Sequence, residues 1–252
     1  IALGHIDSGI AGGVDTTSDA PIALNEKMRK ILLEASRAKT TTQRLAAFSA
    51  FRPSMLVSPS LPRNGEPRTG LSMGEHAEQM AQEWKVSREA QDELALKSHQ
   101  NLARAYNDGF FTDLLTPFNG VSKDNNLRAD LTIEKLRTLK PVFDKKVAPG
   151  QGTLTAGNST PLTDGASAVL LASEEWAKAR NIPVLAYITF SEVAAIDFFN
   201  EKEGLLMAPA YAVPRMLERA GLKLQDFDFY EIHEAFAAQV LAHKFKGVHQ
   251  VR

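Results

Sequence analysis

The feature that most constrains the fold is a junction between a predicted strand and a predicted helix late in the sequence. Residues 224–230 are rich in aromatic side chains, and Phe227 and Phe229 share one face, which is typical of a half-buried strand. Residues 235–245 place apolar side chains at helical spacing and are predicted to form a helix with one buried stripe. A strand that runs directly into a helix favours a layered α/β architecture.

His233 and Glu234 lie at this junction. Ligands of layered α/β folds gather at such junctions, and the free N–H groups at a helix start favour negative charge there. The two residues are therefore candidates for a ligand-binding site. The alternative is that His233 is a hydrogen-bonded structural residue, as a single histidine at a strand end often is.

The composition excludes several classes of protein. The 252 residues are 44% hydrophobic with a net charge of −1, which is ordinary for a globular chain and gives no sign of a nucleic-acid binder. No apolar run approaches the roughly 18 residues of a membrane span. Because the sequence has no cysteine, disulfides, thiolate metal sites and a cysteine nucleophile are excluded within it. The histidines are scattered and show no zinc-ligand spacing.

The other periodic segments alternate between strand and helix patterns, which again predicts the α/β class. The predicted strands are a buried one within 7–15, then 153–155, 168–172 and 183–190. The predicted helices cover 21–38, 73–84, 87–107, 173–180 and 209–220, with caps at Ser87 and Ser173, a stop at Gly221, and a kink or a later true start at Pro214. The helix 87–107 is expected to bury Ala90, Leu94, Leu102, Ala105 and Tyr106.

Residues 38–72 combine basic and apolar side chains, and their prolines prevent a long helix. The basic residues are Lys39, Arg44, Arg52, Arg63 and Arg68. A segment of this kind could meet a membrane, a partner subunit or an acyl chain. A solvated loop with a short amphipathic helix is the alternative.

A second informative stretch runs from Gly152 to Ser167. It leads from a predicted strand into a loop of small and hydroxyl residues and ends in the tight-turn pair Asp164-Gly165. Small side chains would let the backbone lie close to an extended, amide-bearing ligand. A purely structural turn is the alternative.

These stretches together resemble the thiolases, in particular the β-oxidation 3-ketoacyl-CoA thiolases that form the β subunit of trifunctional complexes. The resemblance covers nearly the whole sequence. Four stretches carry it in the family's order: Ile10 to Asp15, Met73 to Glu78, the loop Thr155 to Gly165, and His233 to Phe236. Many thiolases have asparagine at the position of His233, and histidine there is typical of the trifunctional branch.

The resemblance implies an α/β thiolase fold, layered α-β-α-β-α with two similar halves, of which this chain would be a fragment incomplete at both ends. Residues 1–36 and 153–180 would belong to the N-terminal half. Residues 37–152 would form an inserted loop domain that covers CoA, and residues 181–252 would begin the C-terminal half.

The resemblance also implies which residues meet the substrate. His233 would help to form an oxyanion hole for the thioester oxygen, directly or through a water. Thr160 would lie against the pantetheine arm, and Met73, Phe143 and Phe236 would line the pantetheine and acyl tunnel. These three apolar residues could equally be core residues. No metal site and no cofactor are implied, because CoA and acyl-CoA are substrates.

The implied activity is that of an acetyl-CoA C-acyltransferase, which cleaves 3-ketoacyl-CoA with CoA through an acyl-cysteine intermediate. The cysteine would lie outside this chain, which alone would be inactive. A biosynthetic acetoacetyl-CoA thiolase and a non-catalytic CoA-ester binder are the alternatives. The implied partners are a second copy in a homodimer or tetramer, a β-oxidation α subunit and a membrane surface contacted through 38–72, but no nucleic acid. The location would be cytoplasmic in a bacterium and mitochondrial in a eukaryote.

Overall fold

The computed structural model describes residues 1–57, 60, 64–199 and 204–245. The chain divides into two compact units. The first, the ribbon unit, comprises Ile1–Asn64 and Leu162–Leu185, and the second, the helical unit, comprises Gly65–Pro161 and Ala186–Arg252. The division into thiolase halves and a loop domain stays a prediction.

The described elements are mostly short helices. The strands are β1 (Ser8–Asp15) and β2 (Gly165–Ala172), and the α-helices are α1 (Glu26–Arg37), α2 (Thr41–Ala47), α3 (Met73–Glu83), α4 (Arg88–Asn107), α5 (Ile133–Arg137), α6 (Glu174–Ala179), α7 (Pro209–Ala220) and α8 (Ala237–Phe245). Single 3-10 turns cover Phe48–Ala50, Pro53–Met55, Leu205–Met207 and Leu224–Asp226. Among the described helices, none has both the length and the apolarity needed to cross a bilayer.

In the ribbon unit, β1 and β2 pair in antiparallel fashion, from Ser8 opposite Ala172 to Asp15 opposite Gly165. Gly12 permits the close approach, because a Cβ there would lie 2.6 Å from the Ser167 carbonyl oxygen. The predicted strand within 7–15 is confirmed, but its predicted burial is wrong. A two-stranded ribbon has no second layer of its own to cover its side chains.

The N-terminal helix of the ribbon unit begins later than its apolar pattern predicts. The Asn25 side chain accepts the N–H of Lys27 at 3.0 Å and so fixes the first turn at Glu26. Glu26 then pairs with Arg29 on the exposed face. The residues 21–25 therefore lie outside the helix, and Ile22 is exposed.

The helical unit contains a hydrophobic core in which α8 packs against α3 and α4. Its buried members are Ala77, Met80, Ala81, Val86, Leu154, Met207, Ala210, Phe236, Ala238 and Ala242. Several of these side chains are alanines, which let helix backbones approach closely. The residues of the candidate site therefore lie against a tightly packed core.

The predicted helix caps and the predicted helix stop are confirmed. Ser87 caps α4 by accepting the Ala90 N–H at 3.2 Å, and Ser173 caps α6 in the same way. Gly221 ends α7 with a φ of +65°, which favours glycine. Pro214 lies inside α7, so the helix begins at Pro209 and not at the later proline.

The predicted burial along α4 is wrong. Its buried residues are the polar Gln91 and Asp92, while the expected apolar positions are only half-buried. The reason is that hydrogen-bond partners from distant segments meet the first turns of α4, which periodicity alone cannot detect.

Three predicted strands are wrong in the described part of the chain. Residues 183–190 and 224–230 form no strand, and 153–155 forms only a single bridge, between Thr155 and Pro141. A strand needs neighbouring strands for its N–H and C=O groups, and the described residues supply none here. The aromatic Phe229 is accordingly 92% exposed.

Candidate functional site

The two stretches that carry the most specific motifs lie against each other in the helical unit. We call residues 153–160 the Thr153 loop and residues 233–236 the His233 segment. Three backbone contacts join them or the start of α8: an antiparallel bridge between Ser159 and Phe236, a bond from the Thr160 N–H to the Ala235 carbonyl at 2.8 Å, and a bond from the Ala237 N–H to the Asn158 carbonyl at 3.1 Å. The structure thus brings together residues about 75 positions apart.

Two aromatic rings meet beside this junction. The rings of Phe143 and Phe236 pack edge to face with centroids 6.0 Å apart. Gly74 makes room for the Phe143 ring, since a Cβ at Gly74 would lie 2.3 Å from it. Met73 precedes Gly74 at the start of α3 and is 37% exposed. The predicted tunnel residues Met73, Phe143 and Phe236 therefore lie in one region, and their contact with substrate stays a prediction.

Backbone bonds to the Thr153 loop position the Phe143 ring. The Val142 N–H donates to the Leu154 carbonyl at 3.0 Å, and Pro141 forms a bridge with Thr155. Phe143 and the loop are consequently held as one local structure.

Thr160 lies at the end of the loop, where its side chain is exposed. Its hydroxyl donates to the Pro161 carbonyl at 3.3 Å, which is long for a bond between oxygens. The backbone of Thr160 is fixed by Ala235, while its hydroxyl is accessible to a ligand.

His233 is exposed and lines a cleft of about 450 Å³ beside α4. The other lining residues are Ser98, Asn101, Tyr230, Glu231, Ile232, Glu234 and Val240. The Ser98 hydroxyl donates to the Glu234 carboxylate at 2.6 Å, which ties the His233 segment to α4. The cleft is polar and open to solvent, and it is therefore suited to a hydrated polar group.

Two titratable residues lie at the start of α3: Glu75, which belongs to a capping box, and the buried His76. The Ser72 and Glu75 side chains form a reciprocal capping box, and Lys146 lies 3.0 Å from Glu75. The N–H of Ser72 and the charge of Lys146 lower the pKa of Glu75. His76 bonds to the Thr69 hydroxyl at 2.9 Å, and burial lowers its pKa. These groups stabilise the turn that carries Met73.

Sequence reasoning missed the buried polar residues beneath the site. Glu78 and Asp92 are fully buried and Asn158 is 3% exposed, yet none was a candidate. The only available signal was that Glu78 and Asn158 lie within two of the four family-like stretches. No group of three histidine, aspartate or glutamate side chains suited to a metal ion occurs among the described residues.

Two family models match this chain. The thiolase N-terminal domain matches residues 1–175, and the thiolase C-terminal domain matches residues 182–249. The chain therefore belongs to the thiolase family, and the predicted α/β thiolase fold is confirmed.

Among its relatives are 3-ketoacyl-CoA thiolases of Yersinia pestis (strain Pestoides F) and Yersinia pseudotuberculosis (strain YPIII). Each is 42% identical over 248 residues, which make up 96% of this chain and 55% of the relative. The chain thus spans about half the length of the curated relatives it matches.

Two solved structures also superpose on nearly the whole of this chain. Human mitochondrial 3-ketoacyl-CoA thiolase in complex with CoA superposes with a TM-score of 0.75 at 28% identity, over 96% of this chain and 56% of that one. Bacillus anthracis acetyl-CoA acetyltransferase superposes with a TM-score of 0.74 at 32% identity, over 97% of this chain and 57% of that one.

Proposed function

We propose that the protein containing these residues is a 3-ketoacyl-CoA thiolase that cleaves a 3-ketoacyl-CoA with CoA, giving acetyl-CoA and a shortened acyl-CoA. The Yersinia relatives carry this name, and the human structure that superposes on the chain was solved with CoA. A role in fatty-acid β-oxidation follows from that reaction.

The pairing of the Thr153 loop with the His233 segment carries the proposal. It supports a site in which Thr160 presents a hydroxyl to the pantetheine arm, while Phe143, Phe236 and Met73 offer apolar surface to the pantetheine and acyl chain. The ring N–H of His233 donates to the thioester oxygen, directly or through a water. Such a donor stabilises the negative charge that grows on this oxygen in the transition state.

Acyl transfer by this route needs a cysteine thiolate, which takes the acyl group and then passes it to CoA. The 252 residues contain no cysteine, so the nucleophile must come from sequence outside them. In this proposal the chain supplies binding and oxyanion stabilisation, and it is inactive alone.

His233→Ala in a full-length version of the protein tests the role of His233. We expect kcat for thiolysis to fall by about 10²–10³, because one oxyanion donor is lost. His5→Ala, an exposed histidine in the ribbon unit, is the matched control and should leave kcat unchanged. An unchanged kcat in His233→Ala would contradict the assignment.

Two alternatives differ from this proposal in the turnover that they predict. The match to an acetyl-CoA acetyltransferase favours a biosynthetic acetoacetyl-CoA thiolase, which predicts turnover only with the shortest substrate. The second alternative is a non-catalytic CoA-ester binder, which predicts CoA binding without thiolysis even in the full-length protein. Rates across a series of 3-ketoacyl-CoA chain lengths distinguish all three.

The proposed partners are a second copy in a dimer or tetramer, a β-oxidation α subunit and a membrane surface. For the membrane contact, Leu45, Leu56 and Val57 are 69%, 60% and 78% exposed beside the basic Arg44 and Arg52. Light scattering tests the oligomer, and co-sedimentation with anionic vesicles tests the membrane contact. Cytoplasmic location in a bacterium, or mitochondrial location in a eukaryote, fits the relatives' sources.

A further inference from the structure

A fully buried carboxylate of α3 holds the beginning of the Thr153 loop. Both oxygens of Glu78 accept the Thr153 N–H, at 2.9 and 3.0 Å, and Oε2 also accepts the Leu154 N–H at 2.8 Å. Oε1 further accepts the Thr153 hydroxyl at 3.1 Å and the Gln82 amide at 2.8 Å. Glu78 is 0% exposed, so these bonds replace its entire hydration shell.

A second buried carboxylate holds the other end of the loop. Asp92 of α4 accepts the Asn158 side-chain amide on Oδ1 at 2.9 Å and the Arg88 guanidinium on Oδ2 at 2.7 Å. Arg88 in turn donates to the Leu136 carbonyl at 2.7 Å, which ties α4 to the end of α5. Asp92 is 0% exposed. One of its oxygens binds the loop through Asn158, and the other binds Arg88 of the same helix.

Asn158 closes the loop on itself. Its Oδ1 accepts the Thr155 N–H at 2.8 Å and its Nδ2 donates to the Thr153 carbonyl at 3.1 Å. Two residues further on, the Thr160 N–H reaches the Ala235 carbonyl of the His233 segment. Glu78 and Asp92 are thus connected to Thr160 only through the loop backbone and the Asn158 side chain.

Burying two carboxylates costs more free energy than holding a simple turn requires. Removing a carboxylate from water is unfavourable unless every lone pair finds a donor, and an apolar contact would stabilise a simple turn as well. Buried polar groups that are fully satisfied restrict a segment to one conformation. The arrangement therefore suits a loop whose geometry matters more than its stability.

We infer that Glu78 and Asp92 are positioning residues that clamp the Thr153 loop in the conformation that binds the pantetheine arm of CoA; this rests on the function proposed above. Neither residue touches the substrate. They act through the loop backbone, so that Thr160 and Phe236 meet the ligand without first having to be ordered.

Glu78→Gln is the sharpest perturbation, because it keeps the shape and changes only the acceptors. Both oxygens of Glu78 accept backbone N–H groups, so either orientation of the glutamine amide turns an NH₂ group towards a donor. Asp92→Asn tests the second carboxylate in the same way, because both of its oxygens accept hydrogen bonds. Each matched control removes one negative charge from an exposed position: Glu83→Gln at the end of α3 and Asp108→Asn just after α4.

The test measures segment-resolved hydrogen exchange without ligand, and the affinity of the 252-residue chain for CoA and for its nucleotide fragment adenosine 3′,5′-bisphosphate. For both variants we expect amide protection in 153–158 and CoA affinity to fall by about tenfold or more, the loss of one charge-assisted bond. Protection in β1 and β2 and affinity for the nucleotide fragment should stay within about twofold of wild type, and the controls should change nothing. A merely structural role would lower both affinities together.

Unchanged loop protection in both variants would overturn the inference, and so would lost protection with unchanged CoA affinity. Should Glu78→Gln fail to fold, Thr153→Val removes the hydroxyl bond to Glu78 together with the bond that this hydroxyl accepts from the Gln91 amide at 3.0 Å. It keeps the backbone N–H bonds to Glu78 and must show a smaller loss in the same segment. A wild-type chain that does not bind CoA would overturn the proposed CoA site, while hydrogen exchange would still decide whether the two carboxylates clamp the loop.

Discussion

A single methyl group added at Gly74 tests the packing on which the candidate tunnel depends. A Cβ built at Gly74 would lie 2.3, 2.4 and 2.5 Å from three carbons of the Phe143 ring, well inside the contact distance of real side chains. The ring itself packs edge to face on Phe236. Gly74→Ala must therefore displace Phe143, shift the first turn of α3, or both.

Two opposing effects decide the sign of the stability change. Replacing glycine by alanine in a helix stabilises it by up to about 1 kcal/mol, and less here because Gly74 lies in the first turn. Overpacking typically costs about 1–3 kcal/mol, and losing an aromatic pair costs about 0.5–1.5 kcal/mol more. We expect Gly74→Ala to lower the free energy of unfolding by about 1–4 kcal/mol.

Urea unfolding of a double-mutant cycle measures this effect directly. In a Phe143→Ala background the clash is absent, so Gly74→Ala should be neutral or stabilising there. The difference between the two backgrounds should exceed about 1 kcal/mol, the range found for residues in contact. If Gly74→Ala stabilises the protein in both backgrounds, Phe143 does not lie over α3 and the proposed tunnel wall is wrong.

Two further predictions concern pH and the ribbon unit. Burial lowers the pKa of His76 although Glu66 and Glu75 oppose the shift, so its contribution to stability is complete above the ordinary histidine value near 6.5 and is lost as pH falls towards the lower folded pKa. Urea midpoints measured from pH 7.5 to 5 should decline, and His76→Gln should flatten the decline; an equally steep decline in that variant would contradict the reasoning. Gly12→Ala should destabilise the ribbon by about 1–3 kcal/mol because its Cβ meets the Ser167 carbonyl, whereas Gly13→Ala has open space and should be tolerated. Amide exchange of β1 and β2 measures both, and equal exchange in the two variants would refute the register.

Helix ends were predictable from the sequence because each signal is local. Ser87 caps α4 through an N–H three residues away, and Gly221 ends α7 through its own backbone conformation. Such features depend on a few consecutive residues, which a sequence displays directly. The same is true of Asn25, whose cap would have corrected the predicted start of α1.

Strands and buried polar residues were not predictable in the same way. Residues 224–230 have a strand-like pattern, but a strand exists only where another segment supplies bonding partners. The burial of Asp92 likewise depends on Asn158, which lies 66 positions along the chain. In the candidate site, His233 was predictable from its position just before a predicted helix, and Thr160, Met73, Phe143 and Phe236 from family resemblance. The contact between the Thr153 loop and the His233 segment is visible only in the structure.

In the proposed mechanism, the residues that bind CoA and the thiol that accepts the acyl group come from different parts of the protein. The Thr153 loop, its two buried carboxylates and the His233 segment all belong to the helical unit, whereas the acyl-accepting thiol cannot come from any of the 252 residues. Removing the loop anchors should weaken CoA binding whether or not a cysteine is present. CoA binding without turnover by these residues is therefore expected of a thiolase and of a non-catalytic binder alike. Only thiolysis by a full-length protein separates the two, and His233→Ala in that protein then measures what this chain contributes to the chemical step.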